Sequence, residues 1–323
     1  MMARRPIQRY PNQRKPARGD DTATIARAVD QYIDMVQLAR STHTGRTYHN
    51  ALKKFLTCLE DNDLEPENDG IDQLTEDAIA WFADELKRLS PATETLYLTA
   101  VAGFYEFLAA EELAEVNLPR VRLLIHQRSR RPGQRLPQFP RSAIDEIIEK
   151  SDLMATQPTD DERERLRNLR DRAFLVTLAD TGLRVHEACN LRRGDIDWYE
   201  SRAIIIGKGN REAITRFSSR SLSALKDYLS ARSVLDGASG RPLTALPVFA
   251  RHDKGTGNKI KPITPTTGRN IVTERVLELS SDPAAGSITP HSFRHYFVTR
   301  VLQSSGNLKL AQELARHRNI AVT

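Results

Sequence analysis

The sequence predicts a mainly α-helical protein with a small antiparallel sheet, divided into an N-terminal four-helix domain and a larger α+β domain. Three observations carry this. Apolar residues recur at three- and four-residue spacing over most of the chain. Only one pair of short segments, Ala203–Ile206 and Glu212–Phe217, reads as strands, and a Gly207-Lys208-Gly209-Asn210 turn separates them. Between the two helical regions, residues 116–141 break the pattern with four prolines, one glycine and seven arginines.

Taken in order, residues 1–19 combine three prolines with six basic side chains and no acidic one, so they are expected to form a disordered basic tail. In residues 20–115, Ile25, Val29, Tyr32, Ile33 and Val36 mark a first amphipathic helix. Ser41 or Thr42 caps a second through Tyr48, Leu52, Phe55, Leu56 and Leu59. Thr75 opens a third with Ile79, Phe82, Leu86 and Leu89, and Ser90-Pro91 a fourth with Leu96, Val101, Phe104, Phe107 and Leu108. Residues 116–141 read as a basic interdomain linker. In 142–323, helices are expected near 142–152, 163–180, 184–191, 219–232, 265–280, 291–305 and 308–316, with 236–263 as a long loop.

Charge is distributed unevenly over the 323 residues. The formal net charge of +6 equals that of the first nineteen residues alone. Residues 20–115 hold 7 basic against 20 acidic groups, whereas 116–144 hold 7 basic and none acidic. An all-basic linker suits a phosphate backbone, and so does the second helix, which carries Arg46, His49, Lys53 and Lys54. The arginines expected to contact such a backbone are Arg120, Arg122, Arg128, Arg130, Arg131 and Arg135. No apolar run is long enough for a membrane span or a signal peptide, so a cytoplasmic protein is expected. Cys58 and Cys189 show neither disulfide-scaffold nor metal spacing.

Four constellations carry chemistry. In Asp180–Leu191, Gly182 ends one helix and Arg184 opens the next, with Glu187 three residues on to orient its guanidinium; a cation at a helix start is placed to meet an anion. At the hairpin, flanking glycines present Lys208, and nearby arginines would lower its pKa enough for it to act as a general acid. In Thr289–His295, His291 and Arg294 share the first helical turn and can reach one small anion. His291 and His295 also have zinc-pair spacing, but the intervening glutamate of a metalloprotease is missing. The fourth constellation, Leu314-Ala315-Arg316-His317, ends the last helix. Two arginines, two histidines and a lysine make a phosphoryl-transfer site in which guanidinium groups supply the charge stabilisation, and no metal or other cofactor is expected.

TGLRVHEACNLRRGDID, IIIGKGNREAITRF, ITPHSFRHYFVTRVL and LAQELARHRNIAVT resemble, in order, the catalytic boxes of the tyrosine recombinase (phage integrase) family. Residues 22–115 resemble its core-binding, SAM-like domain. The resemblance implies a clamp around duplex DNA and a homo-tetramer on paired recombination sites, a dimer on each. It implies that Arg184 and Arg294 clamp the scissile phosphate, Lys208 protonates the 5′-hydroxyl leaving group and His291 is its general acid/base partner. His317 would hydrogen-bond the phosphate and Glu187 would steady the site.

The family's nucleophile is a tyrosine about nine residues after the late histidine. That place is near position 326, about three residues past Thr323, so residues 1–323 are expected to bind DNA without cleaving it. Tyr296, next to the HxxR residues His291–Arg294, reads as a helix or core residue. The alternative expectation is a sequence-specific DNA-binding or architectural protein that has kept the clamp and lost the chemistry. A type IB topoisomerase fits the helical domain and basic linker less well.

Overall fold

A computed structural model describes residues 23–130, 141–207, 211–253, 255 and 259–316. The chain divides into two compact units, Met1–Gln134 and Arg135–Thr323.

In the first unit, α1 (Ile25–Ala39), α2 (Thr42–Glu60), α3 (Asp77–Glu85) and α4 (Pro91–Ala110) form where the apolar spacing places them. Local chemistry sets three of the starts: the Thr24, Ser41 and Ser90 hydroxyls accept from the backbone N–H groups of Arg27, Thr44 and Thr93. Val29, Leu52, Phe55, Phe82 and Phe104 are buried at their centre. The Phe55 and Phe82 rings meet edge-on at 5.2 Å, a geometry that suits the aromatic quadrupole. Tyr105, also buried, donates to the Thr75 carbonyl at 2.7 Å.

The basic stretch departs from its expected form. Residues Leu118–Arg128 are not extended linker but a fifth helix, α5, with Asn117 accepting from the Arg120 N–H as its cap. Val121 is buried, Leu124 and Ile125 pack partly against the same core, and α5 lies on α3 and α4. Three apolar residues at helical spacing are enough to seat a helix whose other faces are cationic, because those faces meet the acidic surface of α3 and α4.

The second unit contains α6 (Arg141–Thr156), α7 (Glu162–Thr181), α8 (Val185–Asn190), α9 (Ser219–Ala231), α10 (Ser233–Gly237), α11 (Pro265–Leu279), α12 (Pro290–Ser305) and α13 (Leu308–Ala315). Its sheet is antiparallel in the order β1 (Ile196–Asp197), β2 (Arg202–Gly207), β3 (Arg211–Arg216), with Ile204 opposite Ile214 and Gly207 opposite Arg211. Helix α7 is buried along most of its length and packs against α6, α9 and α12. The segment expected as a long loop is partly interior: Leu246, Val248, Phe249 and Ala250 are buried. Buried Arg232 makes that possible by donating to the Pro247 and Val248 carbonyls at 2.8 and 2.9 Å, while its charge is met by Asp236 at 2.8 Å.

Candidate active site

The site begins at a turn. Helix α7 stops at Gly182, whose φ of +59° places it in the left-handed region; a Cβ there would lie 2.4 Å from the Phe297 ring. The chain can therefore reverse closely against α12 and start α8 three residues later. Arg184 is the N-cap of α8.

Glu187 anchors this start. Its Oε2 accepts the Arg184 backbone N–H at 2.8 Å, and its Oε1 accepts Arg184 Nη1 at 2.9 Å. The carboxylate is buried, while the Arg184 side chain is 40% exposed, so the guanidinium is fixed at one edge and open on the other. Burial by itself would raise the Glu187 pKa. The Arg184 N–H and the charges of Arg316 and Arg184 outweigh it, so the group is held below the usual carboxylate range and stays ionised.

Arg294 reaches the same place from α12. Thr289 and Ser292 form a capping box at the α12 start and Pro290 fills its first turn, which aims Arg294 inward. Its Nη1 donates to the Gly182 carbonyl at 2.5 Å and its Nη2 to the Ala315 carbonyl. One buried guanidinium thus ties the end of α7 to the end of α13. Burial lowers its pKa, and repulsion from Arg184 and Arg316 adds to this, bringing it down to about 10; it remains cationic at neutral pH.

His291, one turn before Arg294, has its pKa lowered by desolvation and by the Arg294 and Arg184 charges. A neutral imidazole is the form that can accept a proton. The His291 and His295 rings meet edge-on at 4.4 Å, and among the described residues no group of three or more His, Cys, Asp or Glu could hold a metal.

Of the sequence-predicted residues, the structure brings together Arg184, Glu187, Arg294 and His291. Lys208, between the paired Gly207 and Arg211, and His317, directly after Arg316, lie outside the described residues. One residue of the site was not singled out from sequence. Arg316, the C-cap of α13, extends Nη2 to Glu187 Oε2 at 3.0 Å and is largely buried. Its signal was an arginine inside the fourth box, beside the expected histidine.

The expected backbone-contacting arginines do not stand free. Arg120 meets Asp77 at 2.7 Å, Arg128 meets Asp84 at 2.8 Å, and Arg122 meets Glu106 at 3.4 Å. Arg130 pairs with buried Glu94, and Lys54 pairs with Glu85. Arg46 and Lys53 are exposed on α2, whereas Arg131 and Arg135 lie outside the described residues, as does the tail.

Fold and site together define a two-unit protein: among the described residues a unit of five α-helices precedes an α+β unit whose α7–α8 turn and last two helices gather guanidinium groups around one carboxylate. A family model for the phage integrase family matches residues 149–323, and one for the phage integrase N-terminal SAM-like domain matches residues 29–112. The chain belongs to the phage integrase family of tyrosine recombinases. It is 28% identical over 301 residues to tyrosine recombinase XerC of Bacillus subtilis, covering 91% of this chain and 89% of that protein. It is 26% identical over 316 residues to tyrosine recombinase XerD of Mycobacterium tuberculosis, covering 93% and 92%. Among solved structures, the Tn1549 transposon integrase in complex with transposon right end DNA shares the fold at a TM-score of 0.64 and 15% identity, with 93% of each chain covered. The XerH site-specific recombinase bound to difH substrate does so at 0.62 and 18%, covering 93% of this chain and 79% of that one. No described helix is long and apolar enough to cross a membrane.

Proposed function

We propose that this protein is a site-specific DNA recombinase that breaks and rejoins a phosphodiester through a 3′-phosphotyrosine intermediate. The observation that carries the reading is the convergence at Glu187. Arg184 is held there by two hydrogen bonds, and Arg294 is fixed to the carbonyls of Gly182 and Ala315, whose near neighbours Arg184 and Arg316 both meet that carboxylate. Such a cluster suits a phosphate and, more strongly, the additional negative charge of a pentacoordinate transition state.

In the reaction a tyrosine oxygen attacks the phosphorus, the bond to the 5′ oxygen breaks, and a proton passes to that oxygen. Arg184 and Arg294 take the non-bridging oxygens. Lys208 supplies the proton to the leaving oxygen, neutral His291 handles the nucleophile's proton, and His317 hydrogen-bonds the phosphate. Rejoining reverses the step, because the energy of the broken bond is kept in the phosphotyrosyl link. The partner is a double-stranded recombination site. XerH was solved bound to difH substrate and lambda integrase as a tetramer bound to a Holliday junction, and these support assembly here as a tetramer on paired sites, a dimer on each. Arg46 and Lys53 from α2, and Arg120, Arg122 and Arg128 once released from their acids, meet the DNA backbone.

Two buried tyrosines of the second unit are engaged elsewhere: Tyr296 donates to Asp145, and Tyr228 lies against His252 and Arg232. The nucleophile is a further tyrosine, expected near position 326, about nine residues after His317. The test selects duplexes bound from a random-sequence pool and places the selected site in a nicked suicide substrate. A polypeptide extended past Thr323 through the tyrosine should form a covalent adduct, and Arg184→Ala should reduce its rate by about 10²–10³-fold. Selective binding with no adduct from the extended chain would instead establish an architectural DNA-binding protein.

A further inference from the structure

Arg316 is held in an unfavourable way. Its backbone has φ +57° and ψ 42°, the left-handed conformation, which costs free energy for any residue with a Cβ. Its side chain is 13% exposed, and only Nη2 finds an acceptor, at Glu187. Nε and Nη1 are buried without a hydrogen-bond partner among the described residues. A strained backbone that delivers a guanidinium with two unpartnered donors into a charged site is poorly explained by stability alone, since each donor loses water and gains nothing.

The charge balance at the site is informative. Among the described residues, Arg184, Arg294 and Arg316 carry three positive charges around the single carboxylate of Glu187, leaving an excess of two. Repulsion among them is felt: the Arg316 guanidinium is pushed down by burial and by Arg184, with Glu187 opposing. Two arginines with one carboxylate would leave a single positive charge, enough for a phosphodiester monoanion. The third raises the excess to two, matching the dianion that forms when a nucleophile adds to phosphorus.

We infer that Arg316 is a third phosphate-binding residue of this site, whose unpartnered Nη1 donates to a non-bridging oxygen while Nη2 holds Glu187 against Arg184. The inference rests on the recombinase reading of the site and adds to it a residue that the two-arginine description omits. Nη1 stands beside Nη2 at the end of the planar guanidinium, so it can take a phosphate oxygen while Nη2 keeps its bond to Glu187.

Glycine tests this directly, because it accepts the left-handed backbone without strain and carries no charge. Thermal unfolding of the full chain is followed with inorganic phosphate and with chloride at matched ionic strength, for wild type, Arg184→Ala, Arg316→Gly and Arg316→Lys. In chloride, Arg316→Gly should melt at or above the wild-type temperature. Phosphate should raise the wild-type melting temperature, and the apparent affinity should fall about tenfold in both Arg184→Ala and Arg316→Gly. Arg316→Lys, which keeps a charge and a donor for Glu187 but lacks the second donor nitrogen, should lie between; if Arg316→Gly does not fold, this variant decides the matter, and wild-type affinity in it overturns the inference. Full phosphate response in Arg316→Gly with loss in Arg184→Ala overturns the role of Arg316 and leaves the recombinase site standing. A wild-type protein with no phosphate-specific response overturns both.

Discussion

Arg130 closes onto Glu94: its Nε lies 2.6 Å from Oε2 of a carboxylate that is wholly buried at the start of α4, and its backbone N–H donates to the other oxygen at 2.8 Å. Lys87 adds a third donor at 2.9 Å. This pair fixes the point where the basic stretch leaves the helical unit. Burial would raise the Glu94 pKa, but Lys87 and the two Arg130 donors outweigh it and bring it down to about 2. The unfolded carboxyl titrates at 4.5, so the contribution is complete above that pH and is lost as pH falls toward 2. Glu94→Gln should cost about 1–3 kcal/mol at neutral pH and flatten the acid limb of the stability profile, measured by urea unfolding between pH 2 and 5.

Gly182 couples stability to the site. Its positive φ and the nearby Phe297 ring leave no room for a side chain, so Gly182→Ala should destabilise by about 2–4 kcal/mol. Because the Gly182 carbonyl accepts Arg294, the same change should weaken DNA-adduct formation in the extended chain even below its melting temperature. The comparison that checks this is adduct yield against fraction folded, measured on one sample.

His252 is a second acid-sensitive group. It is buried against Tyr228 with 2.8 Å between Nε2 and the phenol oxygen. Burial, together with the Arg170 and Arg232 charges, brings its pKa from 6.5 down to about 3. The native state holds it neutral while the unfolded chain protonates it, so stability is full above pH 6.5 and declines as pH falls toward 3. His252→Gln should lower stability at pH 7.5 and remove the part of the decline that lies between those values, as read from chemical unfolding midpoints across the range.

Tyr296 stands two residues after Arg294, yet burial and the hydrogen bond to Asp145 raise its phenol pKa to about 12. A phenol so placed is a packing group. Tyr296→Phe should leave adduct formation unchanged in the extended chain and cost about 0.5–1.5 kcal/mol of stability. Loss of the adduct with retained folding would make Tyr296 the nucleophile.

Removing the buried counter-ion of the core should be more damaging. Asp236 balances Arg232 at 2.8 Å and Arg193 at 2.5 Å, so Asp236→Ala leaves a fully buried guanidinium uncompensated and should cost about 3–5 kcal/mol. Circular dichroism melting reads the loss. DNA selection from the random pool should be unaffected at temperatures where the variant stays folded.

Much of this protein is written locally. Ser41, Ser90-Pro91, Gly182 and Thr289-Pro290 set helix ends with hydrogen bonds and backbone angles confined to a few residues, so those boundaries were legible in the sequence. The same holds for Arg184 with Glu187, three apart at one helix start, and for His291 with Arg294. What was hidden depends on partners distant in sequence. Helix α5 exists because Val121, Leu124 and Ile125 find a core built by other helices and because Asp77, Asp84 and Glu94 neutralise arginines some forty residues away; composition alone reads the stretch as a linker. Arg316 acquires its place only when the end of α13 comes against the start of α8, 129 residues earlier. Short-range propensity fixed most of the elements, α5 excepted, and most of the ligating residue types. The balance of buried charge, three guanidinium groups about one carboxylate, was decided by tertiary packing, because electrostatic energy depends on distance in space and not on separation along the chain.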